Sequence, residues 1–192
     1  MIAFRNFVSF CALLALAGAA LAQGEVRVRG TISASDGKTF SVKTADGRNV
    51  AIGLGEKSSI VFLKPISLAD LKPGDFLGVT SNKAGDGALT AVEVRRFPKP
   101  LNPGHRPFDG RSDQTMTNAT VSATVQSAKG RELTLTYEGG SQKIAVPENA
   151  SISTQVAGER SQLVPGAAVN LSAAEAGGKL TAVRVQVSPP RR

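Results

Sequence analysis

The chain has 192 residues, with 23 basic side chains against 15 acidic ones, a single cysteine, a single histidine and no tryptophan. A net charge of +8 points toward anionic partners, and so few cysteine and histidine ligands exclude a structural zinc site of the usual kind. Gly, Ser, Thr, Val and Ala dominate, which suits short strands and turns better than helices.

Arg5 is the only charged side chain in the first 22 residues, an apolar run follows from Phe7 to Leu16, and small residues lead to Ala20-Leu21-Ala22. This is the order of a secretory signal peptide: a charged start, an apolar core and an Ala-x-Ala site. The expected cut lies between Ala22 and Gln23. The apolar core is shorter than the ~20 residues of a spanning helix, and no later stretch approaches that length. Removing residues 1–22 takes Arg5 and no carboxylate, so 22 basic residues face 15 acidic ones and the net charge becomes +7. Cys11 leaves as well, so packing alone must hold the exported core. The expected location is the periplasm or the cell exterior.

Residues 26–97 recur in 119–189. Gly37–Val42 matches Gly130–Leu135, Val50-Ala51-Ile52 matches Ile144-Ala145-Val146, and Leu71-Lys72-Pro73-Gly74 matches Leu163-Val164-Pro165-Gly166. Leu89–Val94 then matches Leu180–Val185. Four collinear blocks predict two copies of one unit.

Each copy alternates with period two, the mark of half-buried strands. In copy one, Val26, Val28 and Ile32 face one way, and Arg27, Arg29 and Thr31 the other. Asp36-Gly37 and Asp46-Gly47 predict hairpin turns around a strand carrying Phe40 and Val42. Ile60–Leu63 reads as a fourth, buried strand. Ser67 caps one expected helical turn, Leu68–Lys72, which Pro73-Gly74 ends. Strands over Phe76–Thr80 and Ala91–Arg95 close the copy, with Val92 and Val94 inward. Copy two repeats this with fewer large side chains, its inward set including Val125, Tyr137, Val183, Val185 and Val187. A unit of that size is near the lower limit of independent stability and should lean on copy one or on the connector.

Between the copies, Pro98–Asn118 holds four of the ten prolines and the only histidine, His105. The expected organisation is a signal peptide (1–22), a first β-barrel domain (23–97), a Pro-rich connector (98–118), a second β-barrel domain (119–188) and a basic tail (189–192). The fold class is all-β: two tandem small OB-like β-barrels of five to six strands each, since closure removes exposed edges.

Val28-Arg29-Gly30-Thr31-Ile32, Leu71-Lys72-Pro73-Gly74-Asp75 and Leu89–Val94 resemble a family of bacterial exported domains of unknown function. The connector residues Gly104–Asp109 with Met116–Thr120 look like those of a two-copy alphaproteobacterial subgroup of that family. The resemblance spans nearly all of the chain after residue 22. It implies export and OB-like barrels, and carries no activity with it.

The residues themselves offer little for catalysis. Any Ser-His-Asp site must use His105, and there is no Gly-x-Ser-x-Gly elbow to present a serine. Ser35-Asp36-Gly37-Lys38 spells Ser-x-x-Lys, but in a hairpin turn rather than at a helix start. No cofactor is expected. The leading expectation is a non-enzymatic periplasmic binding or scaffold protein. The alternative is a metal-handling or transport-accessory protein, in which His105, Asp109 and Asp113 gather around an ion if the connector curls. Partner contact is expected at His105, Arg106, Phe108 and Asp109 of the connector, docked between the barrels. Arg27, Arg29, Arg95 and Arg96 would form one basic patch with Lys99, Arg106 and Arg111. Such a patch suits an anionic surface, a glycan or another envelope protein. The exported protein is expected to begin at Gln23, and intact mass decides this: a mass that retains residues 1–22 would refute both cleavage and release.

Overall fold

The computed structural model describes residues 25–127 and 130–190. The expected signal segment and its expected cut at Ala22–Gln23 lie outside the described residues, as do Arg191–Arg192 of the tail and the side chain of Val125. The fold is all-β. Its strands are β1 (Glu25–Ser35), β2 (Thr39–Thr44), β3 (Asn49–Pro65), β4 (Phe76–Lys83), β5 (Leu89–Phe97) and β6 (Gly104–Phe108). They continue with β7 (Arg111–Ser127), β8 (Gly130–Tyr137), β9 (Gly140–Ala145), β10 (Ser151–Ala157), β11 (Ala168–Ala176) and β12 (Lys179–Ser188). Among the described residues the only helical pieces are two 3-10 turns, Leu68–Asp70 and Arg160–Gln162, and no helix is long and apolar enough to cross a membrane. The first turn starts at Ser67 as its sequence suggests: the Asp70 carboxylate accepts hydrogen bonds from the Ser67 N–H and hydroxyl, each 2.8 Å.

Five strands close a barrel in the order β1-β2-β3-β12-β11 and back to β1, with β12 parallel to β3 and every other pair antiparallel. The remaining strands form a second ring, β7-β8-β9-β5-β4 and back to β7. A short parallel contact, Leu89↔Ile144 and Thr90↔Ala145, closes it. Each ring therefore takes three strands from one copy of the repeat and two from the other. This corrects the expected boundaries: neither 23–97 nor 119–188 is a barrel by itself. The matching hydrogen bonds make the exchange reciprocal. Ile32 donates to the Ala167 carbonyl (2.9 Å) and accepts from the Gly166 N–H (2.8 Å); its counterpart Val121 does the same with Asp75 (2.8 Å) and Gly74 (3.0 Å).

The cores are mixed in the same way. The first joins Val28, Ile32, Phe40 and Ile52 to Leu163, Val169, Leu171 and Val185. The second joins Leu71, Leu77, Val79 and Val94 to Leu133, Leu135 and Ile144. Burying each such side chain contributes about 1.5–3 kcal/mol, and in both cores part of that comes from the other half of the chain. Copy two thus leans on copy one through shared barrels.

The physical reason is the path of β3. Its first part, Asn49–Gly53, pairs with β2, and Val61–Pro65 pairs antiparallel with β10. Between them the chain bulges at Gly55–Ser58 instead of turning back. Ser58 Oγ accepts from the Gly55 N–H (2.9 Å) and donates to the Ala182 carbonyl (2.6 Å), holding the bulge against β12. Ile60–Leu63 is therefore the outer part of β3 rather than a separate strand, and only Leu63 of these four is fully buried. The chain leaves the first ring there and delivers β4 and β5 to the second. β10 makes the return crossing.

Two expected core residues face outward. Thr80 pairs with Glu93 and Ser81 with Ala91, so Val92 is the extra residue of a β-bulge; Ser172, Arg184, Ala173 and Ala182 treat Val183 identically. Ala91 and Ala182 are buried in their place, and Val92 and Val183 are 43% and 48% exposed. The residues assigned to a connector also differ: β6 and the start of β7 form a hairpin on the edge of the second ring, turning at Asp109 (φ 54°) and Gly110 (φ 74°).

Residues 23–97 hold five strands of the repeat, but their β3 carries β4 and β5 away from β1 and β2. That fragment alone is expected to pair with a second copy of itself and run as a dimer in sedimentation analysis. A folded monomer would show that the half-chain closes on itself.

Candidate ligand-binding groove

The crossing sets the outer face of β1, β11 and β12 opposite the outer face of β4, β5 and β7. On the first wall the register places Arg27 beside Ser172 and Ser172 beside Arg184. One step along, Arg29 stands beside Asn170 and Asn170 beside Gln186. Alternation explains the arrangement, because Val28, Leu171 and Val185 between these residues point into the core. The opposing wall carries Thr80, Arg95, Met116 and Phe108, and Leu63 and Ala168 lie between the walls. The central cavity is about 430 Å³. It shares Asn170 and Gln186 with a cavity of about 260 Å³ at the Arg27–Arg184 end. It shares Leu63, Glu93, Ala168 and Ser188 with one of about 410 Å³ that ends at Val92 and Pro190. Together they form one open groove that runs between the rings and continues, at the Arg27–Arg184 end, onto the outer face of the first ring alone.

The groove gathers Arg29, Arg95 and Phe108, with Arg27 at one end. Arg29 pairs with Asp109 at the tip of the β6–β7 hairpin, Nη1 to Oδ2 3.5 Å, so the connector touches the first ring through Asp109. Arg95 pairs with Glu93 beside it, and its buried Nε has no hydrogen-bond partner. Arg27 and Arg184 make no ion pair among the described residues. Arg96 does not join the patch. Its neighbour in sequence faces the groove, so Arg96 faces away, bonding Asp75 Oδ2 (3.4 Å), the Asp70 carbonyl (3.1 Å) and Thr154 Oγ1 (3.4 Å). There it ties the 3-10 turn to β10. Arg106 donates to the Asn102 carbonyl at 3.1 Å within the connector.

His105 also points away from the groove, toward Thr117 on β7, with Nδ1 2.8 Å from Thr117 Oγ1. Partial burial holds its pKa below the ordinary 6.5, and the charge of Lys83 adds to the shift. The carboxylates expected beside it are engaged elsewhere. Asp109 goes to Arg29, and Asp113 receives both Nε (3.0 Å) and Nη2 (2.7 Å) of Arg111, whose hydrogen bonds hold the Asp113 carboxyl below its usual range. No three His, Cys, Asp or Glu side chains come together among the described residues.

Asn118, which the sequence offered only as part of the Met116–Thr120 resemblance, fixes the connector. Its Nδ2 donates to the carbonyls of Leu101 (2.9 Å) and Asn102 (3.1 Å), drawing residues 101–102 across β4. The Phe97 ring lies over Gly78, where an added Cβ would stand 2.5 Å from Phe97 Cε2 and 2.9 Å from Asn118 Oδ1. Asn170, Ser172, Arg184 and Gln186 were also missed as groove residues. Their outward strand positions were legible, but only the exchange brings them beside Arg27 and Arg29. The guanidinium groups of the groove are hydrogen-bond donors with no acceptor, so they bind and orient anions. Compared with family models, with curated proteins and with solved structures, the chain matches none.

The lowered pKa of His105 makes stability depend on pH with a definite sign. The unfolded chain binds the proton more readily, so stability is full above about 6.5 and is lost as pH falls toward the lowered folded value. The unfolding midpoint is expected to drop between pH 7 and pH 5, and His105→Gln should remove part of that slope. A slope identical in the variant would show that His105 does not carry it.

Proposed function

We propose that the protein is a non-enzymatic binding module of the bacterial envelope, exported by its amino-terminal segment, whose ligand lies in the groove between two OB-like barrels. The strand order supports the OB reading: each ring runs through its first three strands, then a parallel fifth, then the fourth. The family resemblance, to exported domains of this build, agrees with it. The observation that carries the proposal is the groove itself, continuous and open, with Arg29 on one wall and Arg95 on the other. The chain's net charge of +8 adds a long-range pull on any anionic ligand.

Exposed charges attract over a Debye length of only about 8 Å at physiological salt. Retention on an anionic matrix should therefore fall steeply as salt rises. Arg29→Gln with Arg95→Gln should elute at lower salt than Lys43→Gln with Lys143→Gln, which removes the same charge from outside the groove. Equal elution of the two double variants, or retention indifferent to salt, would count against the groove as the site.

A further inference from the structure

The two walls of the groove occupy equivalent positions of the repeat, yet they are finished differently. In the second ring the matching rows are Met116–Thr80–Glu93 and Asn118–Gly78–Arg95. The second of these is partly covered by the chain itself, by Phe97 at the end of β5 over Gly78 and by residues 101–102 held on Asn118. In the first ring the rows are Arg27–Ser172–Arg184 and Arg29–Asn170–Gln186, and Arg27, Arg29, Asn170 and Arg184 are exposed. One wall is partly covered by Phe97 and residues 101–102, and the other presents a grid of hydrogen-bonding side chains.

We propose that this grid binds the anionic groups of an acidic polysaccharide, an inference that rests on the groove being the ligand site. Three paired strands put Arg27 and Arg184 about 10 Å apart across Ser172, within reach of one oxyanion from both sides. The second row lies about 7 Å further along, two residues on each strand. It already holds a carboxylate, that of Asp109 on Arg29, and so shows the kind of group the row accepts. Asn170, Ser172 and Gln186 supply neutral donors and acceptors that suit sugar hydroxyls between the charges. Phe108 and Met116 on the opposite wall offer apolar surface to the face of a sugar ring. Glu25 at the rim is the one carboxylate in the 260 Å³ cavity, against Arg27 and Arg184.

Other polyanions fit less well. Single-stranded nucleic acid wants a run of aromatic platforms. Phe108 is the one aromatic side chain among the residues lining the three cavities, and it stands on the wall away from the arginine rows. A bilayer is flat, whereas the Arg29–Asn170–Gln186 row of the grid faces the second ring across a groove. A polysaccharide chain is narrow, extended and able to present an anion at each repeat.

The test measures affinity of the full exported protein for polygalacturonate and for dextran sulfate, which separate carboxylate from sulfate. Neutral dextran, an oligothymidylate and phosphatidylglycerol vesicles are the comparisons. At least one acidic polysaccharide should bind and neutral dextran should not. Arg27→Gln with Arg184→Gln should weaken that binding about tenfold or more. Asn170→Ala with Gln186→Ala should weaken it several-fold, and Lys43→Gln with Lys143→Gln less than about twofold. Hydrogen exchange of the unsubstituted protein gives a readout that needs no variant, with protection expected on β1, β11 and β12. Binding untouched by the arginine changes, protection confined to other strands, or equal affinity for oligothymidylate or vesicles would overturn the assignment. So would failure of both acidic chains to bind. If salt-sensitive, Arg29-dependent retention survives that failure, the groove stands and only its ligand is wrong; if both are lost, the groove reading falls as well.

Discussion

The structure depends on the ladder where β3 and β10 cross. Leu63 faces Gln155 at its centre, with Pro65↔Ser153 on one side and Val61↔Ala157 on the other, equivalent positions of the two copies. Each strand is the outer part of the third strand of its own copy, and each carries its chain into the opposite ring. Equivalent bonds flank the ladder: the Ile66 N–H donates to the Ile152 carbonyl (3.1 Å) and the Gly158 N–H to the Ile60 carbonyl (2.9 Å). Without this crossing neither ring has its last two strands. Without those strands neither core has half of its side chains. The main pairings then join residues far apart in the chain, such as Val28 with Leu171, so loop closure must be paid before either barrel is rewarded.

The groove is a consequence of the crossing rather than an addition to it. Exchange brings the two equivalent outer faces opposite one another. Equivalent faces need not stay equivalent in sequence, since outward positions are released from the demands of the core. One wall carries Arg, Ser, Asn and Gln, and the other Met, Asn, Thr, Gly and a Glu–Arg pair. The asymmetry of charge across the groove is thus written at positions where the barrel itself is indifferent.

Much of each barrel was legible in the sequence. Alternation placed Val28, Ile32, Phe40 and Val42 inward, and all four are buried. Asp-Gly and Pro-Gly dipeptides marked the turns, and the repeat marked equivalent strands. The exchange was not legible, because the two copies carry the same pattern on matching edges. β4 offers its edge to β1 or β7 with the same alternation, and no local preference chooses between them. The choice lies in Gly55–Ser58, four residues that fold as a bulge and keep Ile60–Leu63 in the same strand as Val50 and Ile52. The inward assignment of Val92 and Val183 failed for a related reason: one inserted residue reverses the phase of alternation, and nothing in Ala-Val-Glu or Ala-Val-Arg announces it. Of the groove, Arg27, Arg29 and Arg95 were readable as outward basic residues. Their partners from β11 and β12 were not, since they lie in the other copy.

The connector is explained by the same constraint. In a tandem arrangement residues 98–110 would join two separate barrels, and their prolines would suit a stiff spacer. With exchange, β5, β4, β7 and β6 lie side by side in that order, so the segment has only to step over β4 and β7. That shorter task accounts for its observed contacts. Phe97 settles on Gly78 of β4, Asn118 of β7 grips the carbonyls of Leu101 and Asn102, and the remaining residues turn at Asp109-Gly110 to form a sixth edge on β7. The hairpin is long enough for its tip to reach across the groove, where Asp109 meets Arg29. That contact is between groups more than half exposed and adds little to stability. Its consequence is positional: it sets a carboxylate at one row of the first wall and leaves the row of Arg27, Ser172 and Arg184 open.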